Sequence, residues 1–200
     1  GEIIEEQEHI KEIKTEINSI KRTPEKHISE KPDKFTYYIT LTLITGITAY
    51  LWVYYTSTMY SAFFRSFTLD ENIVVNSIFY PKAITESFKA GLLAFLLILI
   101  APVVFLGIGY LYHRYREAKV KVKTIVILAI TFVFDGILAY EICKKIADIE
   151  ASNSFAEVSA YTLHSAFTDV NFWLILFAGF VVYLIWGEIF TFFNDARNSL

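Results

Sequence analysis

Cysteine, methionine and histidine are scarce in this sequence: one Cys, one Met and four His in 200 residues. A single cysteine, Cys143, excludes an internal disulfide and any cysteine-based metal cluster. The histidines His9, His27, His113 and His164 are scattered and share no metal-ligand spacing. No Asn-x-Ser/Thr acceptor occurs, so glycosylation gives no information on sidedness. The first thirty residues are charged and lack an apolar centre, so no cleavable signal is expected there. Gly107 and Gly109 make no nucleotide fingerprint, because no strand precedes them. A net charge of −3 predicts no nucleic-acid partner.

What is abundant is hydrocarbon. Hydrophobic residues make up 54% of the chain, with 18 Phe and 13 Tyr, and the mean hydropathy is +0.43. A soluble core of this size cannot hide so much apolar surface, so the expected solvent is lipid. Spanning a bilayer takes roughly 20 predominantly apolar residues, and four stretches qualify: 36–55, 90–112, 124–140 and 170–189. The expected fold is all-α: an integral membrane four-helix bundle (35–200) preceded by an N-terminal cytoplasmic amphipathic, coiled-coil-like helix and linker (1–34).

Lys and Arg beside the spans set the orientation. Lys21, Arg22, Lys26, Lys31 and Lys34 precede the first span, and Arg114, Arg116, Lys119, Lys121 and Lys123 fill the link between the second and third. The other two loops are poorer in basic residues or balance them with acids. Both termini and the basic link are therefore expected on the cytoplasmic side of a cell membrane. The loop 56–89 is long; "TLDE" has capping-box spacing, and "NIVVNSIFY" reads as a helix at the outer face or across the bundle mouth. Pro81 suits the first turn of a helix leading into the second span.

In "EIIEEQEHIKEIKTEINSIK", Ile3, Ile10, Ile13, Ile17 and Ile20 recur at intervals of 7, 3, 4 and 3, an a/d pattern with Glu6 breaking one d position. Ile at both a and d leans toward three or more strands. Ile10, Ile13, Ile17 and Ile20 are thus expected to contact further copies of the chain, or else a soluble cytoplasmic partner.

The residue that calls for explanation is Asp135, inside "TFVFDGILAY". A carboxyl at the bilayer midplane costs roughly 2.5–3.5 kcal/mol on insertion scales, and such residues usually face a bundle interior or water. Two roles present themselves: a protonated acid bonded to a hydroxyl and joining helices, or an ionised acid lining a cation path. Thr42, Thr45, Gly46 and Ala49 form a small, polar stripe on the first span, which predicts either helix packing, with Thr45 or Thr48 bonded to Asp135, or a water-facing wall. In a symmetric oligomer a single Asp becomes a ring, a cation-selectivity device. The secondary acids are Glu141, spaced to pair with Lys145, and Glu188, within reach of the basic link. Pro102 is a candidate hinge in the second span.

Neither an enzyme, a metal site nor a cofactor is expected, since one midplane acid forms no carboxylate pair and no Ser–His couple lies at membrane depth. The expected function is an oligomeric channel or pore-type protein passing cations past Asp135, Thr42, Thr45 and Thr48. The competing reading is a membrane anchor, scaffold or accessory subunit that recruits a soluble partner through the N-terminal helix. A transporter ranks third, because four spans without an internal repeat are few for alternating access.

Overall fold

The computed structural model describes residues 34–68, 72–153 and 160–198. The N-terminal Ile pattern and Glu71 of the capping-box spacing lie outside the described residues. The helices are α1 (Lys34–Phe63), α2 (Ile73–Ile78), α3 (Ala83–Ala90), α4 (Leu92–Glu117), α5 (Lys121–Asn153), α6 (Leu163–Thr168) and α7 (Val170–Asn198). Among the described residues there is no strand. Four helices, α1, α4, α5 and α7, are long and apolar enough to cross a membrane, which makes the chain a multi-pass membrane protein by the length and composition of its helices.

Each of the four long helices packs against the other three, and α1 against α7 most extensively. The centre is built from Leu51, Ile98, Leu138, Ile142, Ile175 and Leu176, all fully or almost fully buried. The outer faces are also hydrocarbon: Leu93, Val103, Ile125, Val133, Leu174 and Val181 are exposed. A soluble bundle would put charge at those positions; in lipid an apolar exterior costs nothing, while the backbone polar groups of a helix interior are satisfied within that helix.

Two connections explain how the helices reverse. Between α4 and α5 the chain takes a Schellman turn: Lys119 N–H donates to Arg116 O at 3.0 Å and Val120 N–H to Tyr115 O at 3.0 Å. The left-handed position of that turn is Lys119, at φ 55°, where glycine is the usual choice. Between α3 and α4 the break is Gly91, at φ 123°. The expected helix starting at Pro81 therefore does not run on into the span; α3 ends at Ala90 and α4 starts afresh at Leu92. Pro102 is buried within α4, which continues through it to Glu117, while the break in the chain before that helix is at Gly91.

The first span is displaced from its expected window. Apolar content alone favours 36–55 and leaves Tyr54 and Tyr55 at an interface, but α1 extends to Phe63 and both tyrosines are fully buried. Tyr55 lies beside Asp135, and Asp135 is 14 residues from the start of α5, about 21 Å at 1.5 Å per residue. The same distance along α1 from Tyr55 reaches about residue 41. The part of α1 at bundle depth therefore runs from about Leu41 to Phe63, and its first turns project past the basic α4–α5 turn. The segment from Tyr54 to Ala62 is buried on all sides, because α2 and α3 fold back over it.

Candidate functional site: a carboxyl enclosed by tyrosines

Asp135 is 0% exposed. Burial on α5 follows from its neighbours at helical spacing, since Thr131, Leu138, Ala139 and Ile142 share its inward face. Tyr55 donates its hydroxyl to Asp135 Oδ2 at 3.5 Å, the outer limit for such a bond. Oδ1 has no hydrogen-bond partner among the described residues. Tyr54, Tyr55 and Tyr183 all lie within electrostatic reach of the carboxyl.

The tyrosines are held rigidly. Tyr55 stacks face to face on Phe105 of α4, with centroids 3.9 Å apart, and Phe105 meets Phe134 edge-on at 4.9 Å. Tyr54 donates to Ile175 O at 2.8 Å and Tyr50 to Ala178 O at 2.9 Å, tying α1 to α7. Gly179 permits that approach: a Cβ there would fall on the Tyr54 ring. Gly109 does the same for Trp186, whose ring carbon would lie 2.8 Å from an added Cβ.

The threonine stripe is elsewhere. Thr42, Thr45, Gly46 and Ala49 face out of the bundle. Thr42 donates to Tyr38 O at 2.9 Å and Thr45 to Leu41 O at 2.7 Å, bonds within their own helix. Thr48 donates to Ile44 O at 2.6 Å and accepts from Trp186 Nε1 at 2.8 Å. The expected Thr45 or Thr48 bond to Asp135 is therefore not formed; Tyr55, seven residues beyond Thr48, takes that position about 10 Å further along the axis. The expected ring of Asp135 around an oligomer axis meets the same obstacle, because the carboxyl faces the interior of its own subunit and no outer surface carries it.

Glu188 pairs with Arg116, linking α7 to the basic turn at a half-exposed surface, where such a pair contributes little. Glu141 is not matched by Lys145. Lys145 Nζ instead donates to Ser61 O at 3.1 Å and Arg65 O at 3.0 Å. The cation closes the C-terminal end of α1, where unsatisfied carbonyls and the negative end of the helix dipole favour it. Arg65 itself is buried, donates to Asn76 O at 2.8 Å, and lies over the Tyr80 ring at 3.9 Å.

Sequence reasoning missed the tyrosines and one histidine. Tyr54 and Tyr55 carried the aromatic signature of an interface, and only the register of α1 turns them inward. His113 is buried, with Nδ1 2.9 Å from Thr191 Oγ1 and Nε2 3.4 Å from Glu117 Oε2. Among the described residues no group of three His, Cys, Asp or Glu is placed to hold a metal. No protein family, curated protein or solved structure matches the chain.

Proposed function

We propose that the chain is a membrane-embedded scaffold or anchor subunit, with Asp135 as an internal strut between α1 and α5. The observation that carries this reading is the complete enclosure of Asp135 by its own bundle, against Tyr55 and the stacked Phe105. A pore built by symmetry needs its acid at a subunit boundary; the boundaries of this bundle are hydrocarbon and the self-bonded threonines. Lys34, Arg197 and the basic α4–α5 turn belong to one end of the bundle, as the Tyr37–Phe193 stack and the Arg116–Glu188 pair require. That end is cytoplasmic by the distribution of positive charge. Residues 1–33 then extend into the cytoplasm, where the Ile10, Ile13, Ile17 and Ile20 stripe recruits a soluble partner or further copies of the chain. The outward Thr42, Thr45, Gly46 face gives those copies a smooth surface for close helix contact in lipid.

A second reading has one observation in its favour. Among the described residues the buried Asp135 Oδ1 has no hydrogen-bond partner, and intramembrane acids of that kind serve proton relays. A path of this type would run through the interior of each subunit and not along an oligomer axis.

Flux across liposomes separates the two. Under the scaffold reading, neither a proton nor a potassium gradient decays faster with the wild-type protein than with Asp135→Asn. A proton leak present in wild type and lost in correctly folded Asp135→Asn would replace the strut with the relay.

A further inference from the structure

Between α5, α6 and α7 lies a cleft of about 330 Å³, within the range of small-ligand sites. Phe132, Val133, Gly136, Ile137 and Leu176 line its inner part. Phe167, Phe172 and Trp173 stand together at its outer part, with ring centroids 5.3–6.1 Å apart. The Trp173 indole is fixed by its bond to Phe167 O at 2.9 Å, so this aromatic wall is rigid. A single acid, Glu141, completes the lining.

Three features point to one class of occupant. The inner wall is hydrocarbon and open to the bundle exterior, where acyl chains are the solvent. Glu141 lies 20 residues beyond the start of α5 at the basic turn, about 30 Å along the axis and so one hydrocarbon thickness away, the level at which headgroups begin on the opposite side. Its carboxylate makes no direct salt bridge among the described residues: Lys145, the cation at the favourable spacing, lies within electrostatic reach but directs its Nζ to the end of α1. A carboxylate beside aromatic faces is the chemistry that recognises an ammonium group. One turn further along α5, Lys144 is exposed and offers a positive charge about 5 Å away along the axis. Negative and positive charge at that separation match a headgroup that carries an ammonium and a phosphate together.

We infer that this cleft is a binding site for an amine-bearing zwitterionic phospholipid, with an acyl chain against Phe132, Gly136 and Leu176, the ammonium on Glu141 and the phosphate toward Lys144. Phosphatidylethanolamine satisfies that description; phosphatidylglycerol, with the same chains and no ammonium, does not. The site is independent of whether Asp135 is a strut or a relay, since the two acids face different sides of α5.

The test is retention of added lipid by the full chain in mild detergent, read by native mass spectrometry with phosphatidylethanolamine and phosphatidylglycerol of identical acyl composition. The wild type is expected to retain the ethanolamine lipid at least about five-fold better, a difference of about 1 kcal/mol. Glu141→Gln, which keeps side-chain shape, is expected to bring that ratio to one. Gly136→Leu fills the inner cleft and is expected to lower retention of both lipids. Gly136→Ala, whose Cβ would meet Leu176 at an ordinary 3.8 Å, is the folding control and is expected to behave as wild type. Equal retention of the two lipids by the wild type, or a preference that survives Glu141→Gln, would overturn the assignment and leave only ordinary boundary lipid.

Discussion

The two halves of α1 carry the same short hydroxyl side chains and meet different surroundings. In the first half Thr42 and Thr45 face outward; in the second Thr56, Ser57, Thr58 and Ser61 are all buried. Thr42, Thr45, Thr56 and Thr58 each donate to the carbonyl four residues back. A threonine bonded in this way has satisfied its own donor and is indifferent to lipid or protein, so its presence says nothing about which way a face turns. The serines differ. Ser57 Oγ accepts from Tyr80 N–H at 3.0 Å and Ser61 Oγ donates to Ser77 O at 3.4 Å, so these two are committed to the covering segment. Aromatic residues then decide the rest: Tyr54, Tyr55 and Tyr60 enter the core, while Phe35 and Tyr38 remain exposed.

The largest effect is expected where the buried half of α1 meets α7. Gly179→Val puts a branched side chain onto the Tyr54 ring, and displacing that ring also breaks its bond to Ile175 O. The cost is expected at roughly 3 kcal/mol or more, the upper end for overpacking. Purification should yield little monodisperse protein, and a normal elution profile with an unchanged melting temperature would refute the close α1–α7 approach. A smaller effect is expected at the far end of the same half. Lys145→Met keeps the aliphatic stem and removes two charge-assisted bonds to the end of α1, at an expected cost of about 2 kcal/mol. Amide exchange should accelerate around Ser61 to Arg65 and not around Thr42; uniform change along α1 would contradict the capping role. The smallest effect belongs to the outward half. The double substitution of Thr42→Val and Thr45→Val should leave the subunit's melting temperature within the equivalent of about 0.5 kcal/mol. A large destabilisation would mean that this face is packed in the working assembly, and would favour the oligomer contact proposed for it.

The number of crossing helices and the reversal at Arg114 to Lys123 were legible in the sequence, because both rest on sums over many residues. The Arg116–Glu188 contact was legible too, since Glu188 falls toward the same end of the fourth apolar run as the basic link. The depth of α1 was not. Hydropathy counts tyrosine as interfacial, and only packing against α4 and α7 reveals Tyr54 and Tyr55 as core. The partner of Asp135 was therefore foreseen as a hydroxyl on the correct helix and misassigned by seven residues or more. Lys145 shows a different limit. Its spacing from Glu141 is favourable within α5, but the carbonyls at the end of α1 are brought to it by the fold, and no local pattern records where another helix stops.

The bond from Tyr54 to Ile175 spans 121 positions in the chain, and that separation has a consequence for synthesis. At about 5–20 residues per second, α7 emerges roughly 6–24 s after the residues of α1 that it covers. Throughout that interval the run "YYTSTMYSA" in α1 has none of its α7 contacts. Its hydroxyls can bond back to their own helix, but its tyrosines cannot, so the half-made chain presents polar phenols to lipid or to the insertion machinery. Translation speed between α1 and α7, and whatever holds α1 in the meantime, therefore bear on the yield of this protein as directly as any contact in the finished bundle.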